Sequence, residues 1–406
     1  MHFFPILSAL RRHRTAASLI VFEIALSCAI VCNTIFLIGD RLSRMDLPSG
    51  VAEDELVRVQ LSGIGKTTDA SAVTAQDLAA LRALPGVKSV ACANIVPFGG
   101  SSWDSTISTI PDDPAPPVNS AMYLGSPDLL QTLGVQLIAG RGFVADEYVD
   151  LHRLGTAQAR FASVIISRAL AERLFPGKSA VGQAIYAWGK EPQTVVGVIE
   201  YLARPDPVQR AGSSTYAHLL PMTPSYVDGG NYLLRVAPAL RAEVLAAVDR
   251  TLRKVDPSRV ILRRDLFSDI RKEYFKRDRS VYLVGFGVSL ALLIITGLGV
   301  VGLASFWVQQ RRHQIGIRRA LGATRRDILH YFQLENFILV TIGIAIGMAL
   351  AYAVNLWLMQ KFHVTRLPAA FLPIGAALLW VLGQIAVLGP AVRAALIPPA
   401  TATRSG

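Results

Sequence analysis

Histidine and cysteine come first among side chains able to do chemistry, because they supply metal ligands, nucleophiles and proton carriers near neutral pH. His2, His13, His152, His218, His313, His330 and His363 are scattered along the 406 residues. There is no H-E-x-x-H, no cysteine pair at metal-ligand spacing and no G-x-S-x-G. The sequence therefore predicts a non-enzymatic chain with no catalytic residues and no metal or cofactor of its own. Leu61–Thr67 (LSGIGKT) superficially resembles a phosphate loop, but the required first glycine falls on Gln60, so nucleotide binding is not expected. Three cysteines are too few for a disulfide framework. Cys28 and Cys32, four apart in an apolar run, read as helix packing, and Cys92 is left unpaired.

Arginine offers a different chemistry. Gln309–Leu334 reads QQRRHQIGIRRALGATRRDILHYFQL, in which Ile315, Ile317, Ala320, Leu321 and Ile328 interleave with arginines. That pattern suits short amphipathic helices lying along a membrane surface, with Gly322 allowing a tight turn. The competing reading is an arginine-rich anchor that only fixes topology. The net charge of +12 could suggest nucleic acid, but the charge is placed beside apolar runs. Arg11, Arg12 and Arg14 precede the first, and Arg311, Arg312, Arg318, Arg319, Arg325 and Arg326 separate the second and third. Nucleic acid is not an expected partner.

These segments must be positioned by membrane helices. The chain is 52% hydrophobic with a mean hydropathy of +0.40, and the excess must reside in lipid-facing segments. A helix crossing hydrocarbon needs about 20 mainly apolar residues. Ala16–Gly39, Val281–Val308, Phe337–Leu358 and Leu372–Val392 qualify. Positive residues in short loops stay in the cytoplasm. This predicts a cytoplasmic N-terminus (1–15), spans at 16–39, 281–308, 335–358 and 372–392, a cytoplasmic segment (309–334), a short outer loop (359–371) and a cytoplasmic C-terminus (393–406). Lys361 and Arg366 in the outer loop run against the trend. The first run is too long for a signal core, is interrupted by Glu23 and lacks a clean cleavage site. Ala25–Cys28 is only a loose lipoprotein box, so an uncleaved helix is the better reading.

The fold class is a membrane protein with four transmembrane α-helices and a large α+β extracytoplasmic domain, residues 40–262, between helices one and two. Glu55–Leu61, Val87–Ala93, Ser163–Ile166, Thr194–Ile199, Tyr232–Val236 and Val260–Leu262 read as strands. Helices are expected at Thr74–Leu84 with a Thr cap, and at Ser126–Leu133, Ser167–Leu174 and Ala239–Val255. Gly99–Pro117 reads as irregular loop and a candidate subdomain boundary. Residues 263–280 read as a stalk, one helix running from Asp265 through Ser280 into the second span.

Within the membrane, Gly343 and Gly347, with Ala351 nearby, offer a small-residue face for close helix approach. A carboxylate such as Glu23 is costly in hydrocarbon, insertion scales giving about 2.5–3.5 kcal/mol for Asp, Lys or Arg at a helix centre, so it should face a partner group or the interface. Anchoring at the interface is the favoured reading.

Arg312-His313-Gln314-Ile315-Gly316-Ile317-Arg318-Arg319-Ala320-Leu321-Gly322-Ala323 closely resembles the signature of the MacB/FtsX-type permeases of ABC transporters, R-x-x-E-I-G-I-R-[KR]-A-L-G-A. Glu335 matches the acidic residue opening the family's third helix, and Pro390-Ala391, Arg393 and Pro399-Ala400 resemble its ending. Leu133-Gly134, Gly140–Phe143, Ala171–Gly182 and Val195–Val198 resemble elements of its periplasmic core domain. The family's usual Glu is Gln314 here. The resemblance implies an inner-membrane permease without a fused ATPase, dimerising with an identical or related permease. It implies that the segment from Arg312 to Ala323 couples to a separate ABC ATPase, which uses ATP and Mg, and that a periplasmic adaptor and a TolC-like outer-membrane channel are further candidate partners. It further implies mechanotransmission: ATPase closure drives the outer domain to extrude peptide, lipoprotein or drug-like substrates. The alternative is FtsX-type transmembrane signalling, such as activation of a cell-wall hydrolase.

Overall fold

The computed structural model describes residues 14–63, 69–111, 118–151, 161–189, 191–207, 215–226, 230–257, 259–362 and 366–397. Expectations on Arg11, Arg12, His2, His13, His152, His363, Ile64–Thr67, the proline-rich 112–117 and Pro399-Ala400 lie outside these residues. The chain forms two units, one running to Asp46 and resuming at Arg277, the other spanning Leu47–Lys276.

In chain order, helix α1 (Arg14–Met45) precedes β1 (Leu56–Gly63), α2 (Ala70–Arg82), β2 (Val87–Ala93), β3 (Asp104–Ile107), β4 (Val118–Leu124), α3 (Leu129–Leu133), β5 (Leu137–Gly140) and β6 (Val149–Asp150). Then come β7 (Ser163–Ser167), α4 (Arg168–Leu174), β8 (Ala184–Ile185), β9 (Gln193–Ile199), β10 (Ala217–Leu220), β11 (Met222–Thr223), β12 (Asn231–Val236), α5 (Arg241–Val255), β13 (Arg259–Leu266) and α6 (Phe267–Tyr274). The chain closes with α7 (Lys276–Gln310), α8 (Arg312–Ala320), α9 (Arg325–Phe362) and α10 (Phe371–Ala395).

The unit from Leu47 to Lys276 is built on two large sheets and a small parallel pair, β11 with β6. The first, ordered β13-β1-β12-β2, is antiparallel throughout. Its apolar face, with Val57, Val59, Val90, Tyr232 and Leu234, is covered by Leu81 of α2 and by Val244, Val248 and Leu252 of α5. The spacing 244, 248, 252 is one helical stripe, which is why α5 packs there. The chain leaves this sheet after β2 and returns to it at β12. Between these points it builds the second sheet, ordered β3-β4-β10-β7-β9-β5 with β8 on β9. Val164, Ile166, Leu170, Val195 and Leu220 lie in its core. The irregular stretch expected at Gly99–Pro117 thus contains a strand, β3, paired antiparallel to β4. Its sequence, DSTI, carries too little apolar alternation to announce itself.

Two other local expectations change. Asp69, not Thr74, caps α2, accepting from the Ala72 N–H at 2.9 Å. Thr74 is buried one turn inside, donating to Ala70 O and accepting from the Tyr226 N–H at 3.1 Å. The expected stalk helix is a strand through Leu266, then α6, which ends at a turn on Phe275 before α7 begins. Arg58, buried in β1, draws Asp265 into the strand ladder as its ion-pair partner. The aromatic stripe then serves the domain: Phe267 and Phe275 are buried, with ring centroids 6.4 and 5.3 Å from Phe98. Arg271 lies over Phe98 at 5.0 Å and pairs with Glu53 at 2.5 Å.

In the membrane unit, α1, α7, α9 and α10 are long and apolar enough to span a bilayer. They run beyond the expected spans because polar flanks extend them. Arg44 pairs with Asp40, and Arg41 reaches Asp278 of α7 at 2.6 Å. At 35 residues, α7 is about 52 Å long by the helical rise, well over a hydrocarbon core of about 30 Å. Helix α9 packs closely on α1. A Cβ at Gly343 would lie 2.8 Å from Ile24 Cβ, and one at Gly347 2.5 Å from Cys28 Cβ. Asn33 adds a bond to Ala351 O at 3.1 Å. Cys28 and Cys32 are buried thiols in this core and Cys92 is a buried thiol in the first sheet; none of the three is in a disulfide.

Glu23 is half-buried and turned toward α7, where any Cβ at position 299 would overlap both its carboxylate oxygens; Gly299 leaves that space. One turn on, Ser27 Oγ and Thr296 Oγ1 share a hydrogen bond at 2.7 Å. The carboxylate therefore belongs to a polar seam between two spanning helices, where the sequence favoured an interface anchor.

Candidate coupling site

Residues 309–334 form the end of α7, the short helix α8, a turn and the start of α9. Arg311 ends α7's register: its N–H still bonds Trp307 O at 3.0 Å, and the Ile315 N–H already bonds Arg311 O at 3.0 Å. The Arg311 side chain turns inward, where Nη1 donates to both Glu335 oxygens, at 3.0 and 2.9 Å. Both groups are nearly inaccessible, at 8% and 1% exposure. A buried pair is stable only when both charges are satisfied in good geometry. This one ties the hinge before α8 to α9.

Ile315 and Gly316 are the buried residues of α8. Ile315 packs with Val308, Ile328, Phe332, Ala391, Ala394 and Ile397, so the helix is seated on the neighbouring ends of three spanning helices. Arg319 is half-buried and donates from Nη1 to Ala395 O at 3.1 Å and Ile397 O at 2.7 Å. The first is the last carbonyl of α10 and the second lies just beyond its end, a place where an arginine satisfies open acceptors well. Arg318 lies over the Tyr331 ring at 4.8 Å. Beyond α8 the chain reverses at Gly322, whose φ of +100° is disfavoured for any side chain. Thr324 and Asp327 then cap α9 reciprocally, the Asp327 N–H donating to Thr324 Oγ1 at 3.2 Å and the Thr324 N–H to Asp327 Oδ2 at 2.9 Å.

The remaining members of the predicted segment face outward. Arg312, Gln314, Ile317, Arg318, Ala320, Leu321 and Gly322 are exposed, and Ala323 is half-buried. Gln314 lines a small cleft with Arg311, Arg318 and Tyr331. Gly343 and Gly347 lie elsewhere, at the α1–α9 contact. Sequence reasoning noted Glu335 only as a family match; its role in neutralising Arg311 is legible in the sequence only as one acidic residue 24 positions from an arginine.

The outer unit has its own cleft of about 250 Å³ between α2, the segment before α3 and the β6–β11 pair, lined among others by Thr74, Leu78, Ser126, Tyr148, Asp150 and Pro224. Its signature-like residues have structural work. Gly140 (φ +73°) pairs with Gly197 across β5 and β9, and a Cβ on either would collide with backbone oxygen, of Val196 or Arg141 respectively. Arg141 makes a two-point pair with Glu147 at 2.8 Å, which, with bonds from Ser163 and the Val144 N–H, holds that carboxyl down to about 2.

Residues 19–250 match the family model for the MacB-like periplasmic core domain, and residues 286–399 that for the FtsX-like permease C-terminal region. The macrolide export ATP-binding/permease protein MacB of Shewanella sp. (strain W3-18-1) is 26% identical over 259 residues, 60% of this chain and 38% of that protein. The uncharacterised ABC transporter permease YknZ of Bacillus subtilis (strain 168) is 24% identical over 70% of this chain and 66% of that one. The match thus spans well under half the length of the MacB relative. Among solved structures, the periplasmic region of MacB from Actinobacillus actinomycetemcomitans is 12% identical with a TM-score of 0.35, covering 55% of this chain and 94% of that one. The extracellular domain of the Gram-positive transporter YknZ is 16% identical with a TM-score of 0.33, covering 51% and 100%. With more than half its residues in the periplasmic core match and its later spans in the permease match, the chain is a multi-pass membrane protein belonging to the MacB/FtsX family of ABC permeases.

Proposed function

We propose that this chain is the permease subunit of an ABC transporter, coupling ATP hydrolysis by a separate ATPase to motion of its outer domain and so driving extrusion of peptide, lipoprotein or drug-like substrates. The observation that carries this reading is the short helix α8, tied inward by Ile315, Arg319 and the Arg311–Glu335 pair while Ala320 and Leu321 face out. A helix fixed on one side to several spanning helices and free on the other can pass a push from a docked partner into the bundle. In this reading the N-terminus, α8 and the C-terminus are cytoplasmic and the outer domain is periplasmic, in keeping with the arginine placement. ATP and Mg belong to the partner ATPase, and a second permease completes the pair.

FtsX-type signalling to a periplasmic partner would use the same coupling. The 250 Å³ cleft in the outer unit supports extrusion, since a pocket of that size suits part of a substrate better than a flat protein contact. The test is Ala320→Trp in the purified permease–ATPase complex. Because Ala320 is exposed, its bulk should block docking and abolish stimulated ATP turnover while the permease inserts normally. Unchanged stimulation would overturn the reading.

A further inference from the structure

The outward side of the coupling site has an unusual charge pattern. From Gln309 to Arg326 there is no Asp or Glu. The nearest carboxylates are engaged elsewhere: Glu335 is buried against Arg311, and Asp327 caps α9 through Thr324. Arg312, Arg318, Arg325 and Arg326 are all exposed. Gln314 lies three residues after Arg311 and four before Arg318, within the cleft those arginines line. An acidic side chain there would stand on the same helical face as Arg318 and would compete with Glu335 for Arg311. Glutamine keeps that face purely cationic.

Two apolar side chains stand among these charges. Ile317 is 43% exposed and Leu321 83% exposed, one helical turn apart. Leu321 closes the last turn of α8, its N–H bonding Ile317 O at 3.0 Å, just before the chain reverses at Gly322. It therefore projects as a knob rather than lying in a broad apolar stripe. Two such residues are too little apolar area to hold a helix in a bilayer surface, where binding scales with the buried apolar face. They suit a small pocket in a protein surface ringed by acidic residues.

We propose that the α8 face made by Gln314, Ile317, Arg318 and Leu321, with the exposed Arg325 and Arg326 that follow the reversal at Gly322, binds an acidic groove with an apolar recess on its ATPase partner, and that Gln314 sets this preference by leaving the face without negative charge. The inference rests on the coupling reading above and adds the partner's surface chemistry. Opposite charges across a contact steer association and select partners, and exposed pairs weaken with salt.

The experiment uses full-length protein and its ATPase co-purified from native membranes in detergent, with the ATPase identified by mass spectrometry. If no ABC ATPase accompanies the wild-type permease, the coupling reading itself fails. If one does, we expect its retention to fall as salt rises, to drop about two- to five-fold with Gln314→Glu and about tenfold with Arg325→Glu. Leu321→Asn should weaken retention at every salt concentration without changing the slope. Melting of each variant permease alone checks folding, and Arg325, at the exposed start of α9, spares the Tyr331 stacking that Arg318→Glu would disturb. The inference is overturned if retention ignores salt and both charge changes. It is equally overturned if those changes instead reduce association of the reconstituted permease with phosphatidylglycerol, relative to phosphatidylcholine, and leave the ATPase bound.

Discussion

Replacing Glu335 by Ala would leave the Arg311 guanidinium buried without its carboxylate, and an unpaired buried charge costs about 3–5 kcal/mol. Removing both charges with Arg311→Met and Glu335→Leu removes the desolvation penalty too, so the double variant should be markedly more stable than Glu335→Ala. Unfolding of the detergent-solubilised protein measures this, and equal losses in all variants would mean the pair contributes nothing specific. A second buried group sets an acid limit on the outer unit. His218 is fully buried, its Nδ1 3.0 Å from Ser120 Oγ, and burial, helped by the Arg204 charge, lowers its pKa to about 3. The unfolded chain, with an ordinary histidine near 6.5, then binds the proton first. Stability is therefore full above about pH 6.5 and falls by up to about 1.4 kcal/mol per unit as pH drops toward the folded value. His218→Gln should flatten that acid limb in a melting series between about pH 6.5 and 5, above the unfolded carboxylate range from which the Glu147 contribution is lost as pH falls. A limb unchanged by the substitution would assign it to other groups.

Two glycines on spanning helices make opposite predictions. A Cβ at Gly347 meets Cys28 Cβ at 2.5 Å and Ala25 O at 2.7 Å, whereas one at Gly302 of α7 meets nothing within 4 Å. Gly347→Ala should thus cost about 1–3 kcal/mol by overpacking, while Gly302→Ala should gain up to about 1 kcal/mol from helix propensity. Unfolding in mixed micelles distinguishes them, and equal effects would show that the α1–α9 contact yields freely. The apolar period that located the spans also exposed the G-x-x-x-G face, because both follow from helical spacing alone. It did not reveal that Glu23 would face Gly299, since that contact joins residues 276 apart in sequence. The outer unit divides the same way. β1, β2, β7, β9 and β12 alternate or run apolar and were legible to within a residue or two. β3 and β10 are short strands defined by their neighbours in the second sheet, and β11 by its pairing with β6. Residues 265–280 misled for a physical reason: an aromatic and charged stripe at helical spacing fits a free stalk, but here Asp265 is claimed by Arg58 and Arg271 by Glu53. Arg271→Ala should accordingly lower the melting point of the full-length protein's outer unit, by an amount matching about 1–3 kcal/mol for a lost charged hydrogen-bond set.

At the scale of the whole molecule, the chain passes between its two units only twice, after Asp46 and after Lys276. Any movement carried by the backbone from the coupling site to the outer domain must use one of these crossings. α6 is bound into the outer unit by Phe98, Glu53 and Leu47, and the turn at Phe275 separates it from α7. The second crossing is thus short, with anchored structure directly before it and a spanning helix directly after it. A short connection transmits displacement, whereas a flexible one absorbs it. Inserting Gly-Ser-Gly-Ser after Lys276 should leave ATPase docking intact, because the coupling site is untouched. The ATP-dependent change in spin-label distance between the outer domains of a permease pair should then be lost, while ATP turnover by the complex continues. Ala320→Trp should remove both signals. If the insertion leaves the distance change at its normal amplitude, motion reaches the outer domain by some route other than this crossing, and the lever role proposed for it is wrong.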